Sequence, residues 1–164
     1  MTRQANELLR YRGRTYALLD TPLDSCDYEG ARGRMQLLQM SSTALWRGYR
    51  GTWEVKRGRL WLVELPATIR EYTSGTNWHH ADRDLSWLFP DAEGPVLADW
   101  FTGELVSPRG KAERTGQFAV DWPYYRVFHV KRGVIASTEL RDNRVKLREG
   151  RRKQKRWEEL LATF

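Results

Sequence analysis

Apolar and polar residues alternate over much of the chain, and the alternating runs end at glycines and prolines. The longest run, WRGYRGTWEVKRGRLWLVEL at 46–65, reads as a two-stranded β-hairpin that holds three of the eight tryptophans. Lys56-Arg57-Gly58 separates two stretches rich in aromatic and β-branched residues, and a glycine third in a three-residue loop supplies the positive φ of a G1-bulge turn. That loop predicts Trp53 opposite Trp61, Val55 opposite Arg59, and Arg50 opposite Glu64. A two-residue loop instead sets Lys56 against Arg59, a like-charge pair that costs stability. The three-residue loop is therefore the expectation. An isolated hairpin is marginal in water, so other strands must cover this one.

Outside the hairpin, residues 1–10 suggest a short helix through Ala5, Leu8 and Leu9, and 14–20 a strand that Thr21-Pro22 ends. Residues 23–34 read as a loop and 35–40 as a short apolar strand. After Pro66 comes an extended stretch at 68–72, then a long polar loop, TSGTNWHHADRD. Asp84 is placed to cap a short helical turn that Pro90 stops. Strands are expected at 95–100, 103–107 and 117–122, with a turn at Pro108-Arg109-Gly110. A second hairpin at 124–140 repeats the Val-Lys-Arg-Gly of 55–58 at 130–133, which reinforces the turn assignment. Residues 145–164 are helical in composition, and Trp157, Leu160, Leu161 and Phe164 fall on one stripe. Those last turns are expected to dock on the sheet while the basic first turns stay in water. The predicted fold is a single mainly-β domain over 1–164: an antiparallel curved sheet, small barrel or sandwich built from hairpins, with a C-terminal amphipathic helix.

Composition places limits on partners. A chain of 164 residues with 40% hydrophobic and 12% aromatic content can bury a core and is not a disordered chain. No run approaches a membrane span and MTRQANELLR carries no apolar signal core, so a soluble, cytoplasmic protein without a membrane partner is expected. Cys26 is the single cysteine, which fits a reducing compartment. The net charge of +7 is concentrated. Residues 141–156 hold nine Lys/Arg against Asp142 and Glu149, and the rest of the chain is neutral overall.

Several strings together resemble a group of small, uncharacterised β-rich bacterial proteins. They are TALWRGYRGTWEVKRGRLWLVEL at 43–65, LFP at 88–90, VLADWFTGELVSPRGK at 96–111 and YYRVFHVKRGVIAS, covering roughly half of the chain. The resemblance implies a shared β-rich fold and carries over no activity or catalytic residue. The basic C-terminal end lies outside the pattern.

Four stretches are candidates for chemistry. In the basic segment, Arg144, Lys146, Arg148, Arg151, Arg152, Lys153, Lys155 and Arg156 can neutralise phosphates while Trp157 stacks on a base; a solvated helix face or a surface for an acidic protein is the plainer reading. His79, His80, Asp82 and Asp84 are metal-ligand types, but adjacent strand histidines point apart and no distant cluster completes a set. No metal or cofactor is expected. Cys26 with a histidine is a formal nucleophile, set beside Asp27, which raises its pKa, and Asp99 with Glu104 or Glu54 with Glu64 are formal acid–base pairs. Trp46, Arg47 and Trp78 are candidate protein contacts, because Trp and Arg dominate interface hot spots, while Trp53 and Trp61 are expected in the core. The leading expectation is a non-catalytic protein-binding protein, such as an immunity or antitoxin-like partner in bacterial conflict systems. Nucleic-acid binding and an enzyme of unrecognised class are the alternatives.

Overall fold

The computed structural model describes residues 3–116 and 119–164. Its main sheet is mixed and strongly curled. β1 (Glu7–Tyr11) and β2 (Arg14–Leu18) form a first hairpin over a stretch whose start reads as helical in sequence. The reason is the turn between them: Arg12 and Gly13 both take positive φ, 50° and 76°, a pair that defines a type I′ hairpin loop. Burial follows the two-residue period of a strand, with Glu7 and Leu9 turned inward on β1, and Leu18 joins Leu9 in the core.

The expected loop at 23–34 is also ordered. A 3-10 turn at Pro22–Ser25 and a helix α1 (Glu29–Met35) place Leu23, Cys26 and Ala31 under the sheet. Residues 35–40 do not form a strand; only Leu38 makes an isolated bridge, to Ile69.

The central hairpin is β3 (Thr52–Lys56) and β4 (Arg59–Glu64). Its loop is two residues long, with Arg57 at φ 54° and Gly58 at 70°, and Lys56 does stand opposite Arg59. Trp53 therefore faces Leu62, and Glu54 faces Trp61. A register slip of one residue exchanges the faces of a strand, so the choice lay between burying Leu60 with Leu62 and burying Trp61 with Val63. Both leucines are fully buried, whereas Trp61 lies on the outer side and donates its indole N–H to the Lys56 carbonyl at 3.2 Å. The like charges at the hairpin mouth are exposed to solvent, and Glu54 lies 3.7 Å from Lys56. Screening makes their repulsion small beside the loss of two core leucines.

β5 (Ala67–Ser74), over the extended stretch expected at 68–72, and β6 (Asn77–Arg83), from the stretch expected to be a polar loop, form a separate hairpin. Asp84 caps α2 (Leu85–Leu88) through a 3.0 Å bond from the Ser86 amide, as its position predicts. β7 (Val96–Leu97) pairs with β4, and β8 (Gly103–Arg109) runs through Pro108 into the expected turn, which is left to Gly110 at φ 88°. β9 (Glu113–Arg114) and β10 (Val120–Asp121) make a short flap; of the strand expected at 117–122, residues 117 and 118 lie outside the described residues. β11 (Tyr124–Lys131) and β12 (Val134–Asp142) form the second long hairpin, again on a two-residue Arg-Gly loop with Arg132 at φ 47°. A chain-reversing arginine with positive φ costs about 1 kcal/mol relative to glycine.

The strand order is β2-β1-β3-β4-β12-β11-β8, with β1 and β3 parallel and the other pairs antiparallel. The sheet curls until its edges β2 and β8 meet. The Leu19 amide donates to Val106 O at 2.9 Å, and the Ser107 hydroxyl donates to Ala17 O at 2.6 Å, without a ladder that closes a barrel. The core fills the concave side: Leu9, Leu18, Trp53, Leu60, Leu62, Leu105, Phe128 and Val130 from the sheet, capped by Leu88 and Phe89 from the α2 segment. Trp53 meets Trp100 edge-on at 6.3 Å, and Trp100 stacks on Phe89 at 5.8 Å. The expected tryptophan pair thus exists with a different partner.

α3 (Arg144–Leu161) follows β12. The Asp142 carboxylate accepts the Arg144 amide at 3.0 Å, which places negative charge at a basic helix start and offsets its unfavourable dipole interaction. The helix docks opposite to expectation. Leu147 is buried and Gly150 lies on Thr115, whereas the last turns leave the body.

Candidate functional site

Two arginine-aromatic regions of the sequence are candidates, and their surroundings differ. Within Trp46-Arg47-Gly48-Tyr49-Arg50, Arg47 turns inward onto the first strand and Tyr49 is buried. Glu7 is 1% exposed. The Arg47 guanidinium reaches its Oε1 with Nε at 2.8 Å and Nη2 at 2.6 Å, while the Trp53 indole N–H donates to Oε2 at 3.0 Å. Arg47 also donates to Ala5 O at 2.8 Å, and Arg50 donates to Asn6 O at 2.8 Å rather than meeting Glu64, which pairs with Arg10. Burial pushes the Glu7 carboxyl above its ordinary range, against the pull of Trp53 and Arg47. Tyr49 is buried and donates to Asp24 at 3.1 Å, and burial also raises its pKa.

Two glycines make this arrangement possible. Gly48, at φ 77°, lies against the Gln39 backbone, and a Cβ on Gly51 would collide with the Glu7 carboxylate and the Trp53 ring nitrogen. The buried node thus joins four stretches of chain. Arg47 is spent inside it, whereas Trp46 remains exposed beside it.

The β5–β6 hairpin carries Trp78. On one face Arg70, Tyr72, Trp78 and His80 follow one another, with Arg70 5.6 Å above Tyr72 and Trp78 5.3 Å from His80. His79 lies on the other face near Glu71. The adjacent histidines therefore point apart, and among the described residues no group of His, Cys, Asp or Glu is gathered for a metal.

The other chemical candidates are occupied separately. Cys26 is buried and its thiol is pushed up by that burial. Asp99 accepts the Tyr28 hydroxyl, whose pKa rises to about 12 through desolvation and this bond. Glu104 takes Arg141 at 2.8 Å and is held below its ordinary range by it. A surface pocket of about 570 Å³ between β4 and α2 contains Glu64, Arg83 and Asp84, but each already serves Arg10, Glu71 or the α2 amides.

The basic helix is the region turned outward. Of its eight expected cations, Arg144 pairs with Asp142 at 2.8 Å, Lys146 with Asp121 at 3.3 Å, and Arg151 with Glu113. These three fasten α3 to the flap and to β12. Arg148, Arg152, Lys153, Lys155 and Arg156 remain exposed. Trp157 and Leu161 lie on the same side of the helix as the docked Leu147 and Gly150, but past the edge of the body, at 65% and 66% exposure. Leu160 and Phe164 are exposed with them. A cavity of about 630 Å³ beside the flap, lined by Thr115, Gly150, Gln154, Trp157 and Leu161, continues this apolar strip inward.

The apolar stripe was legible from its helical spacing; that it is uncovered was not, because nothing local states where the sheet ends. No helix here is long and apolar enough to cross a membrane. No protein-family model matches the chain, and comparison with curated proteins and with solved structures finds no significant match for it.

Proposed function

We propose that the chain is a non-catalytic binding protein that engages a protein partner through the projecting end of α3. The observation that carries this reading is the exposed row Trp157, Leu160, Leu161 and Phe164 at helical spacing. An amphipathic helix laid into an apolar groove is read through anchors spaced in this way, and tryptophan beside arginine is the composition of interface hot spots. Five exposed cations border the row, so the complementary groove is apolar at its floor and acidic at its rim. An immunity or antitoxin-like role is the form this takes when the partner is a toxin.

The test is capture with the full chain carrying a photo-crosslinker at position 160. A stoichiometric partner from the native host is expected, with loss of capture in the Trp157→Ser, Leu161→Ser double variant. Both positions are exposed, so that variant should keep its stability within about 0.5 kcal/mol. Undiminished capture by the double variant refutes the reading.

A further inference from the structure

Past the core, the concave face of the sheet runs on to a mouth at the Arg109 end of β8, where its chemistry turns from apolar to cationic. Leu105 and Phe128 stand opposite each other in the core. Side chains two residues apart on a strand share a face, so Ser107 and Arg109 on β8 and Arg126 and Tyr124 on β11 continue that same face. Ser107 pairs with Arg126, and Arg109 with Tyr124. The two arginines are therefore diagonal neighbours, about 7–8 Å apart along the backbone. Both are half-buried. Burial first, and then the Arg126 charge, hold the Arg109 guanidinium below its ordinary value, against the pull of Tyr16.

The surroundings of the pair are aromatic and lack an acid. Across the seam on β2, the Tyr16 ring lies 3.4 Å from Arg109 Cζ, and Arg109 Nη1 donates to the Ser107 hydroxyl at 2.7 Å. Tyr11 meets Phe128 edge-on at 4.9 Å on the same inner side. Among the described residues neither Arg109 nor Arg126 forms an ion pair. The carboxylates on these strands are taken elsewhere, Asp142 by Arg144 and Glu104 by Arg141. Like charges set side by side on a sheet destabilise it, and partial burial removes the solvent that would screen them. A bound anion turns that repulsion into attraction.

We propose that this mouth binds a phosphate monoester on a small molecule with an aromatic body, the phosphate between Arg109 and Arg126 and the body against the tyrosine rings. One guanidinium fork satisfies the two oxygens of a carboxylate, whereas the three terminal oxygens of a monoester serve two forks at once. A monoester also carries a charge of about −1.5 to −2 at pH 7, which matches two arginines. Each phosphodiester of a nucleic-acid backbone carries a single charge and leaves one arginine unmatched. The mouth is separate from the projecting end of α3, so it stands or falls independently of the partner proposed there.

The experiment is isothermal titration of the full chain with phenyl phosphate, benzoate and a mixed-sequence DNA duplex with 5′-hydroxyl ends. Phenyl phosphate should bind with a Kd below about 1 mM, and benzoate and the duplex at least about tenfold more weakly. Arg126→Gln should lower the affinity for phenyl phosphate at least about tenfold, as expected for lost bonds to a charged group. Its melting temperature without ligand should not fall, because the repulsion with Arg109 is relieved. Arg126→Lys, which keeps the charge and the fold but lacks the fork, should also bind more weakly, while Arg152→Gln on α3 should bind as the wild type does. The proposal is overturned by failure of phenyl phosphate to bind, by equal binding of benzoate, or by tighter binding of the duplex. Undiminished affinity in either Arg126 variant, or loss of affinity in Arg152→Gln, overturns it as well.

Discussion

Residues 46–50 and 144–157 share a chemistry, arginines set among tryptophan and other apolar side chains, and the molecule uses them in opposite ways. In the first region Arg47 reaches a carboxylate 40 residues earlier in the chain and both groups leave water. In the second, the acidic partners available to α3 are Asp142, Asp121 and Glu113, all near its first half. Beyond them, among the described residues, the helix has exposed cations without counter-ions in contact and an apolar strip that is largely exposed. The lesson is that an arginine-aromatic string does not encode whether it is core or surface. The distant residue that meets it does.

This contrast can be broken most severely at Arg47. Removing one member of a buried ion pair strands the other, at about 3–5 kcal/mol, so Arg47→Ala should lose about that much in urea denaturation at neutral pH. The sign of its pH dependence follows from Glu7. Its folded pKa is raised above the ordinary 4.5, so its contribution to stability is present below that value and is lost as pH rises through the folded pKa. Removing Arg47 raises that pKa further, and the deficit of the variant should shrink on acidification toward 4.5. A deficit as small as that of the double α3 variant would place the two regions in one class.

A smaller effect is expected at Gly48. Its φ of 77° and its contact with the Gln39 backbone make Gly48→Ala strained, at about 1–3 kcal/mol, measurable as a fall in denaturation midpoint. The same substitution at Gly150, whose Cβ would meet Thr115 at 3.4 Å inside a helix, should be close to neutral, since helix propensity favours alanine. Smallest is the effect at the start of α3. Bonds from Arg144 hold the Asp142 carboxyl at about 2, down from 3.8, so its contribution is present above 3.8 and disappears as pH falls through about 2. Arg144→Gln should return that carboxyl toward 3.8 in an NMR titration while the fold stays intact at neutral pH.

The β-rich class, both long hairpins, the cap at Asp84 and the C-terminal helix follow from alternation, glycine placement and helical spacing, which are local properties of the chain. Sequence and structure part where a distant contact settles the matter. At the 46–65 loop, the repulsion of Lys56 and Arg59 favours three residues, and the core that Leu60 and Leu62 enter together overrides it. The first strand is hard to read because its hairpin turns on arginine, an uncommon residue at positive φ. Residues 73–84 look like a loop since the strand within them, β6, faces solvent and lacks apolar alternation. The candidate sites follow the same division. Sequence alone determined that α3 would be basic with an apolar stripe, and that Arg-Gly would recur at hairpin tips. Only the tertiary structure decided that the stripe runs past the edge of the sheet, because strand order and the reach of a curled sheet are set by packing among residues far apart in the chain.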